Sequence, residues 1–262
     1  MECFSSSKDE AKARMDGDPD IKAESDALRR IKLQHIPLNW KPNTGGHRAS
    51  PSTVALYEEA GGRAAILSMT TAFYQKAFND PHLDQFLRDH SDPHGSRFAD
   101  WISEKFGMGQ PWTAERSSRK TCPFASHGHT LESPHDRSSA HFAAWHSPKR
   151  EAGKFGAHFK LDDCRVWMRL HFWAMREVGI PKASPEFADY YVRFIGHFVS
   201  VYERSAPGFA RDSYRWSANP ANIEAYKSAG NRMVDVIGVG LQEAGRGLPE
   251  EERGDRRWPY EY

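Results

Sequence analysis

The chain has 262 residues and a mass of 29.8 kDa, with 36 basic and 35 acidic residues. Because the net charge is only +1, no global field would attract nucleic acid, an acidic substrate or a membrane surface. The 3 cysteines are far apart and form no Cys-x-x-Cys pair, which argues against a disulfide framework or a zinc finger. No signal-peptide core and no run of 18 apolar residues is found, so we expect a cytoplasmic protein without membrane contact.

Aromatic residues make up 12% of the chain, with 8 tryptophans and 13 histidines, although the mean hydropathy is −0.74. This combination indicates a compact apolar pocket within long polar extensions. Residues 1–50 are polar and mixed in charge, so we expect a flexible extension that buries too little surface to offset its ordering entropy. The predicted main domain covers residues 51–206, and residues 207–262 are predicted to form a C-terminal helical extension with a polar tail.

Apolar residues at three- and four-residue spacing predict helices from residue 52 onward. In chain order these are a short helix capped by Ser52 or Thr53 and ended by Gly61-Gly62, one from Arg63 to Asp80-Pro81, one from about Pro93 to Phe106, one in SSAHFAAWHSPKR, one capped by Asp162 or Asp163 in LDDCRVWMRLHFWAMREVGI, and one from Ser184 to about Tyr202. The fifth is apolar around so much of its circumference that it should be central. Residues 113–136 lack periodicity and are predicted to be a long loop. No alternating strand pattern occurs, so the predicted class is all-α.

Several of these residues resemble the truncated haemoglobins. That family typically has a Leu-Tyr, a Gly-Gly, a Phe-Tyr pair one helix later, then Asp-Pro and an aromatic residue, which correspond here to Leu56-Tyr57, Gly61-Gly62, Phe73-Tyr74, Asp80-Pro81 and Phe86. The segment around Trp167 is similar to the family's helix with a haem-facing tryptophan. The resemblance covers about residues 54–205, with one long divergent stretch. It implies a globin-like, 2-over-2 helical fold with extra terminal helices.

The resemblance also implies haem b, with its iron held by a histidine in an apolar pocket. Tyr74 would be the distal hydroxyl that donates a hydrogen bond to bound dioxygen. The indole N–H of Trp167 needs a partner when buried, and a distal ligand would supply one. Arg150, with Lys149 and Arg137, would pair with the haem propionates. The predicted walls of the pocket are Phe86, Phe98, Trp101 and Ile102.

The resemblance places the proximal histidine a few residues before the helix that carries Trp167. His146 is the first candidate, because it lies in a His-Ser-Pro sequence like that of one subgroup and Pro148 would end its helix. His141 is the second candidate, since it follows residues 135–137 at a spacing like that subgroup's His-Pro-Arg run. His158 is the third. This interval is longer than in the family, so the three candidates stay open.

The function that this resemblance implies is binding of dioxygen, nitric oxide or carbon monoxide, with redox activity as a further option. Turnover would require an external reductase, because no Gly-x-Gly-x-x-Gly follows a strand. The alternative is a haem-free globin-like sensor or protein-interaction module whose extensions contact partners. A helical metal hydrolase is disfavoured, since the chain has no His-Glu-x-x-His, and the pair His127 and His129 is weak evidence for a metal site.

Overall fold

The computed structural model describes residues 47–119 and 137–260. All regular elements in these two ranges are helices and none is a strand, which confirms the predicted all-α class. The α-helices described are α1 (Pro51–Glu59), α2 (Gly62–Asn79), α3 (Pro81–Asp84), α4 (His94–Phe106), α5 (Pro111–Ser118), α6 (Arg137–Trp145), α7 (Leu161–Glu177), α8 (Ile180–Ala183), α9 (Pro185–Val199), α10 (Ala210–Ala218), α11 (Pro220–Ser228) and α12 (Leu241–Arg246). None of the helices in these ranges is long and apolar enough to cross a membrane.

Helix α7 is central, as its composition predicts. It packs against α2 on one side and α10 on another, and α2 packs in turn against α4. Its buried apolar residues belong to two hydrophobic clusters: Cys164, Met168, Phe172 and Met175 to the larger one, and Val166, Leu170 and Ala174 to the smaller one. Because full burial of one large apolar side chain contributes about 1.5 to 3 kcal/mol, this helix anchors the fold.

Local hydrogen bonds and the two glycines determine where α1 begins and ends. The N-cap was predicted at Ser52 or Thr53, which is wrong. Ser50 is the N-cap, because its hydroxyl accepts from the Thr53 N–H at 3.2 Å while the Thr53 hydroxyl accepts from the Ser50 N–H at 2.8 Å. This reciprocal pair forms a capping box. Gly61 and Gly62 both have positive φ, of 98° and 60°, so the predicted Gly-Gly connection between α1 and α2 is confirmed.

The predicted loop over residues 113–136 is wrong at its start. Helix α5 runs through Ser118 and begins at Pro111, whose fixed φ suits a first helical turn. Both the N–H and the hydroxyl of Thr113 donate to the Glu104 carboxylate, at 2.8 and 2.7 Å, so α5 is tied to α4. No residue of α5 is buried, which explains why no apolar periodicity marked it. Residues 120–136 lie outside the described ranges.

The predicted boundary at residue 206 does not separate two cores. Phe209, Tyr214 and Leu248 belong to the same buried cluster as residues of α1, α4 and α9. The predicted polar tail is packed as well: Trp258 is 6% exposed, and a Cβ built on Gly196 of α9 would lie only 2.5 Å from its ring. The segment after residue 206 is therefore part of the main helical body.

The predicted N-terminal extension is described only at its end. His47 is buried, and its Nε2 lies 2.5 Å from the Tyr190 hydroxyl on α9. Packing thus begins before α1, at a residue that was predicted to be flexible. Residues 1–46 lie outside the described ranges.

Asp80 joins the end of α2 to the C-terminal part of the fold. One carboxylate oxygen accepts from the N–H groups of His82 and Leu83, at 2.8 and 2.9 Å, and so caps α3. The other accepts from the Tyr226 hydroxyl of α11, at 3.0 Å. Asp80 is fully buried, so these bonds replace the water that its oxygens have lost.

Replacing Asp80 with alanine is expected to lower the free energy of unfolding by about 2 to 3 kcal/mol, because the α3 cap is lost and the buried Tyr226 hydroxyl loses its acceptor. Asp80→Asn keeps an oxygen for the cap and should lose less. Urea denaturation followed by circular dichroism measures both variants. Equal losses in the two variants would contradict this assignment of the carboxylate.

Candidate functional site

Three of the predicted site residues, Tyr74, Phe98 and Trp167, come together from α2, α4 and α7. We call them, with Phe73 and His171, the aromatic group. Ring centroids in the group lie 6.5 Å apart for Tyr74 and Phe98, and 6.0 Å apart for Phe98 and Trp167. Phe73 lies between them, at 5.0 Å from Tyr74 and 5.4 Å from Trp167. The group forms because α2 packs against both α4 and α7.

Two hydrogen-bond donors of the aromatic group have no acceptor among the residues described. They are the hydroxyl of Tyr74 and the indole N–H of Trp167, both on half-buried side chains. Neither is among the fully buried atoms that lack a partner, so both reach solvent. The Tyr74 ring stacks on His94 at 5.1 Å. Burial raises the pKa of Tyr74 above its ordinary value, so its hydroxyl keeps its proton and acts as a donor. The group therefore offers two donors beside apolar rings.

His171 is the member of the aromatic group that the sequence analysis did not predict. Its ring stacks on Trp167 at 4.8 Å with only 3° between the planes, as its i+4 position on α7 allows. Its Nε2 lies 2.8 Å from the Tyr191 hydroxyl, and its Nδ1 is buried without a hydrogen-bond partner among the described atoms. The four-residue spacing from Trp167 was the available signal, because it places both rings on one face of the helix.

Burial lowers the pKa of His171 to about 3, so we expect it to stay neutral in the folded chain. Between that value and the ordinary pKa of about 6.5, the unfolded chain binds a proton here that the folded chain does not. The free energy of unfolding should therefore fall as the pH falls through this window, by about 1.4 kcal/mol per pH unit from this group.

His171→Gln removes this titration. As the pH falls, the free energy of unfolding of wild type should therefore fall relative to that of the variant. Urea denaturation of both proteins at several pH values between about 7 and 4 measures that difference. The lowered pKa of His47 and the raised pKa of His82 act in both proteins and cancel in the comparison. A difference that does not vary with pH would contradict a neutral, buried His171.

The other predicted wall residues differ in where they lie. Trp101 and Ile102 belong to the larger hydrophobic cluster, against which Phe98 and Trp167 pack, and the Trp101 ring lies 5.8 Å from that of Phe98. Phe86 lies after α3, where its ring is 5.1 Å from that of Phe159 and 4.5 Å from the guanidinium of Arg150. Phe86 thus belongs to the surroundings of α6.

The three candidate histidines differ in their environments. His146, just after α6, has its Nδ1 at 2.8 Å from the Phe142 carbonyl and its ring stacked on Phe142 at 4.0 Å. His141 is half-buried, with its ring 5.7 Å from Phe159 and 4.6 Å from Tyr202. His158 is exposed and stacks on Trp145 at 4.0 Å. All three lie in the segment where they were predicted, but only His141 and His146 are half-buried.

The hydrogen bond of His146 to Phe142 determines which ring nitrogen carries the proton. The Phe142 carbonyl accepts from Nδ1–H, which leaves the lone pair on Nε2. A Cβ built on Gly156, whose φ is 77°, would lie 3.3 Å from this Nε2. Glycine at this position therefore lets the backbone pack closely against the His146 ring.

The side chain of Arg150 forms hydrogen bonds within its own segment, residues 145–157. It is 8% exposed, and its Nη1 donates to the carbonyls of Trp145 and Ala157, at 3.1 and 2.5 Å. Its Nε is buried without a partner among the described residues. Nη1 is thus already bonded, and the predicted pairing of Arg150 with a haem propionate would have to use its other N–H groups. Lys149 forms an ion pair with Asp84 at 2.9 Å.

One cluster with metal-ligand chemistry occurs in the described ranges. Ligand atoms of His82, Asp162 and Asp163 lie within 4.8 Å of one another. His82 forms an ion pair with Asp163 at 2.8 Å, while Asp162 accepts from the N–H of Gly238 at 3.0 Å. Because both carboxylates already have partners at the start of α7, we assign this cluster to packing. His127 and His129 lie outside the described ranges.

Comparisons with known proteins find no counterpart: no family model matches the chain, and neither a curated protein nor a solved structure matches it significantly.

Proposed function

We propose that the chain binds haem b next to the aromatic group and holds a diatomic gas ligand, such as dioxygen, nitric oxide or carbon monoxide, at its iron. The observation that carries this proposal is the meeting of Tyr74, Phe98 and Trp167, from three helices, around two donors that have no acceptor among the described residues. Bound dioxygen carries partial negative charge, so it is an acceptor that such donors stabilise in an apolar pocket.

The segment around α6 supplies the histidine that would hold the iron. His146 has its tautomer fixed by the Phe142 carbonyl, so its Nε2 would hold the iron. Haem iron, when bound, supplies the coordination site for the gas, and the chain supplies a neutral imidazole and the distal donors. His141 is the second candidate and His158 the third. Sustained redox turnover would depend on an external reductase.

Titration of the purified full chain with haemin, followed by absorption, tests the proposal. We expect a Soret band in wild type that is lost in His146→Ala and regained when imidazole is added to that variant, because free imidazole can replace the lost side chain. His158→Ala, at the exposed third candidate, should keep the band, and loss of the band in that variant alone would assign the ligand to His158. If the Soret band is lost only in His141→Ala, His141 and not His146 would be the ligand of the iron. No band in wild type would overturn the proposal and favour the haem-free interaction module.

The distal role of Tyr74 has its own test. Tyr74→Phe should speed dioxygen release by about 5- to 150-fold, because the lost hydrogen bond contributes about 1 to 3 kcal/mol. Stopped-flow or flash photolysis measures the rate. The ring and its packing are kept in this variant, so an unchanged rate would exclude Tyr74 as the donor while leaving the haem proposal standing.

A further inference from the structure

The indole of Trp167 is half-buried in the aromatic group, so burial alone does not fix its orientation. A tryptophan side chain turns about two torsions, and the outer one has broad minima that point the N–H in different directions. A hydrogen bond from this N–H to a bound ligand therefore depends on contacts that hold the ring in one orientation before the ligand arrives. Those contacts come from His171, one turn further along α7.

The imidazole of His171 stacks on one face of the Trp167 indole. The two ring centroids are 4.8 Å apart, and the planes are within 3° of each other. The rings of Phe73 and Phe98 each contact both members of this stack, at centroid distances between 5.0 and 6.0 Å. Because these rings pack closely, the indole cannot tilt unless the imidazole moves with it.

Tyr191 of α9 holds the imidazole in turn. Its hydroxyl lies 2.8 Å from Nε2 of His171, and both side chains are fully buried. The Tyr191 ring stacks on those of Phe187 and Phe194 of its own helix, at 5.3 and 5.6 Å. One hydrogen bond thus ties the stack on α7 to a ring that neighbouring rings of α9 keep in place.

Core stability alone does not explain a histidine at position 171. Its Nδ1 is buried without a hydrogen-bond partner among the described atoms, and an unsatisfied polar atom in the core is unfavourable. Apolar side chains at positions 171 and 191 would fill the same space and leave no polar atom unsatisfied. A flat ring with a nitrogen at its edge is what stacking on an indole and bonding to a hydroxyl both require.

We propose that His171, held by Tyr191, is a positioning residue that fixes the Trp167 indole so that its N–H points to the gas ligand. The part of this proposal that concerns the ligand rests on the proposed haem function, whereas the fixed orientation of the indole does not. His171 acts through Trp167 and needs no contact of its own with the ligand.

Relaxation of the indole nitrogen, measured by NMR on the full chain without added haem, tests the orientation. The Trp167 signal is assigned by its absence in Trp167→Phe. Its order parameter should be near the value of about 0.85 for a rigid group in wild type and below about 0.6 in His171→Leu. Phe209→Leu, which removes a buried ring outside the aromatic group, is the matched control and should keep the wild-type value. An unchanged order parameter in His171→Leu would overturn the proposal, and if that variant does not fold, Tyr191→Phe decides by the same measurement.

Dioxygen release from the haem-loaded chain tests what the orientation does. His171→Leu should speed release by about fivefold or more, as loss of one hydrogen bond does, and should have no further effect when Trp167→Phe is already present. Phe209→Leu should release dioxygen as wild type does. An unchanged rate in His171→Leu, or an equal acceleration with and without Trp167→Phe, would overturn the proposal. If wild type takes up no haem, the haem function fails, and the order parameters still decide whether His171 positions the indole.

Discussion

Replacing Phe73 with alanine is expected to lower the free energy of unfolding by about 3 to 5 kcal/mol. Phe73 is 1% exposed, and its ring contacts those of Tyr74, Phe98, Trp167 and His171, with centroids between 5.0 and 6.5 Å away. Alanine would leave a cavity where α2, α4 and α7 meet, because four rings cannot all move into it. Urea denaturation followed by circular dichroism measures the loss.

A matched control for Phe73→Ala exists on the surface. Phe155 is 54% exposed and contacts the ring of His146 at 5.2 Å. Phe155→Ala should cost less than about 1 kcal/mol, as surface substitutions usually do. If the two variants lost similar stability, Phe73 would not be the centre of the aromatic group.

The second large effect concerns Trp258, which covers Gly196. Trp258→Ala should lower the free energy of unfolding by about 3 to 5 kcal/mol, because a nearly buried indole is lost. Gly196→Ala should also destabilise, by about 1 to 3 kcal/mol, since its Cβ would lie 2.5 and 2.6 Å from two atoms of that ring. The collision outweighs the higher helix propensity of alanine, which by itself would contribute about 1 kcal/mol.

A double-mutant cycle separates these two causes. When Trp258→Ala is already present, Gly196→Ala has no ring to displace and should become neutral or slightly stabilising. The cycle should therefore give a coupling energy of about 2 kcal/mol or more between the two positions. Additive losses would mean that Trp258 does not rest on Gly196.

The sequence predicted the helices that carry clear signals and missed those that do not. Helices α2, α4, α7 and α9 lie close to their predicted ranges, because their apolar spacing and their Gly, Ser and Pro ends are local features. Helix α5 was missed because it buries nothing. The packing of Trp258 was missed because a single aromatic residue among charged neighbours has no periodicity.

The residues of the candidate site also differ in whether the sequence could predict them. Tyr74, Phe98 and Trp167 were predicted together because the resemblance supplied their relation across three helices, which no local pattern gives. His171 was overlooked because a histidine within an apolar helix has no distinguishing pattern, although it is the residue stacked on Trp167. The surroundings of Arg165 and Arg169 could not be predicted either, since the carboxylates near them, of Asp212 and Asp235, lie up to 66 positions further along the chain.

The hydrogen bond from Tyr226 to Asp80 limits how early this part of the chain can fold during synthesis. The two residues are 146 positions apart, so during synthesis α2 and α3 leave the ribosome long before the partner of the Asp80 carboxylate exists. Until then that carboxylate must stay hydrated, because burying it with an unfilled acceptor would be unfavourable. At an elongation rate of about 5 to 20 residues per second, this interval lasts on the order of ten seconds. We therefore expect the Asp80 end of α2 and α3 to remain exposed to water on the nascent chain and to become buried only after α11 has been synthesised.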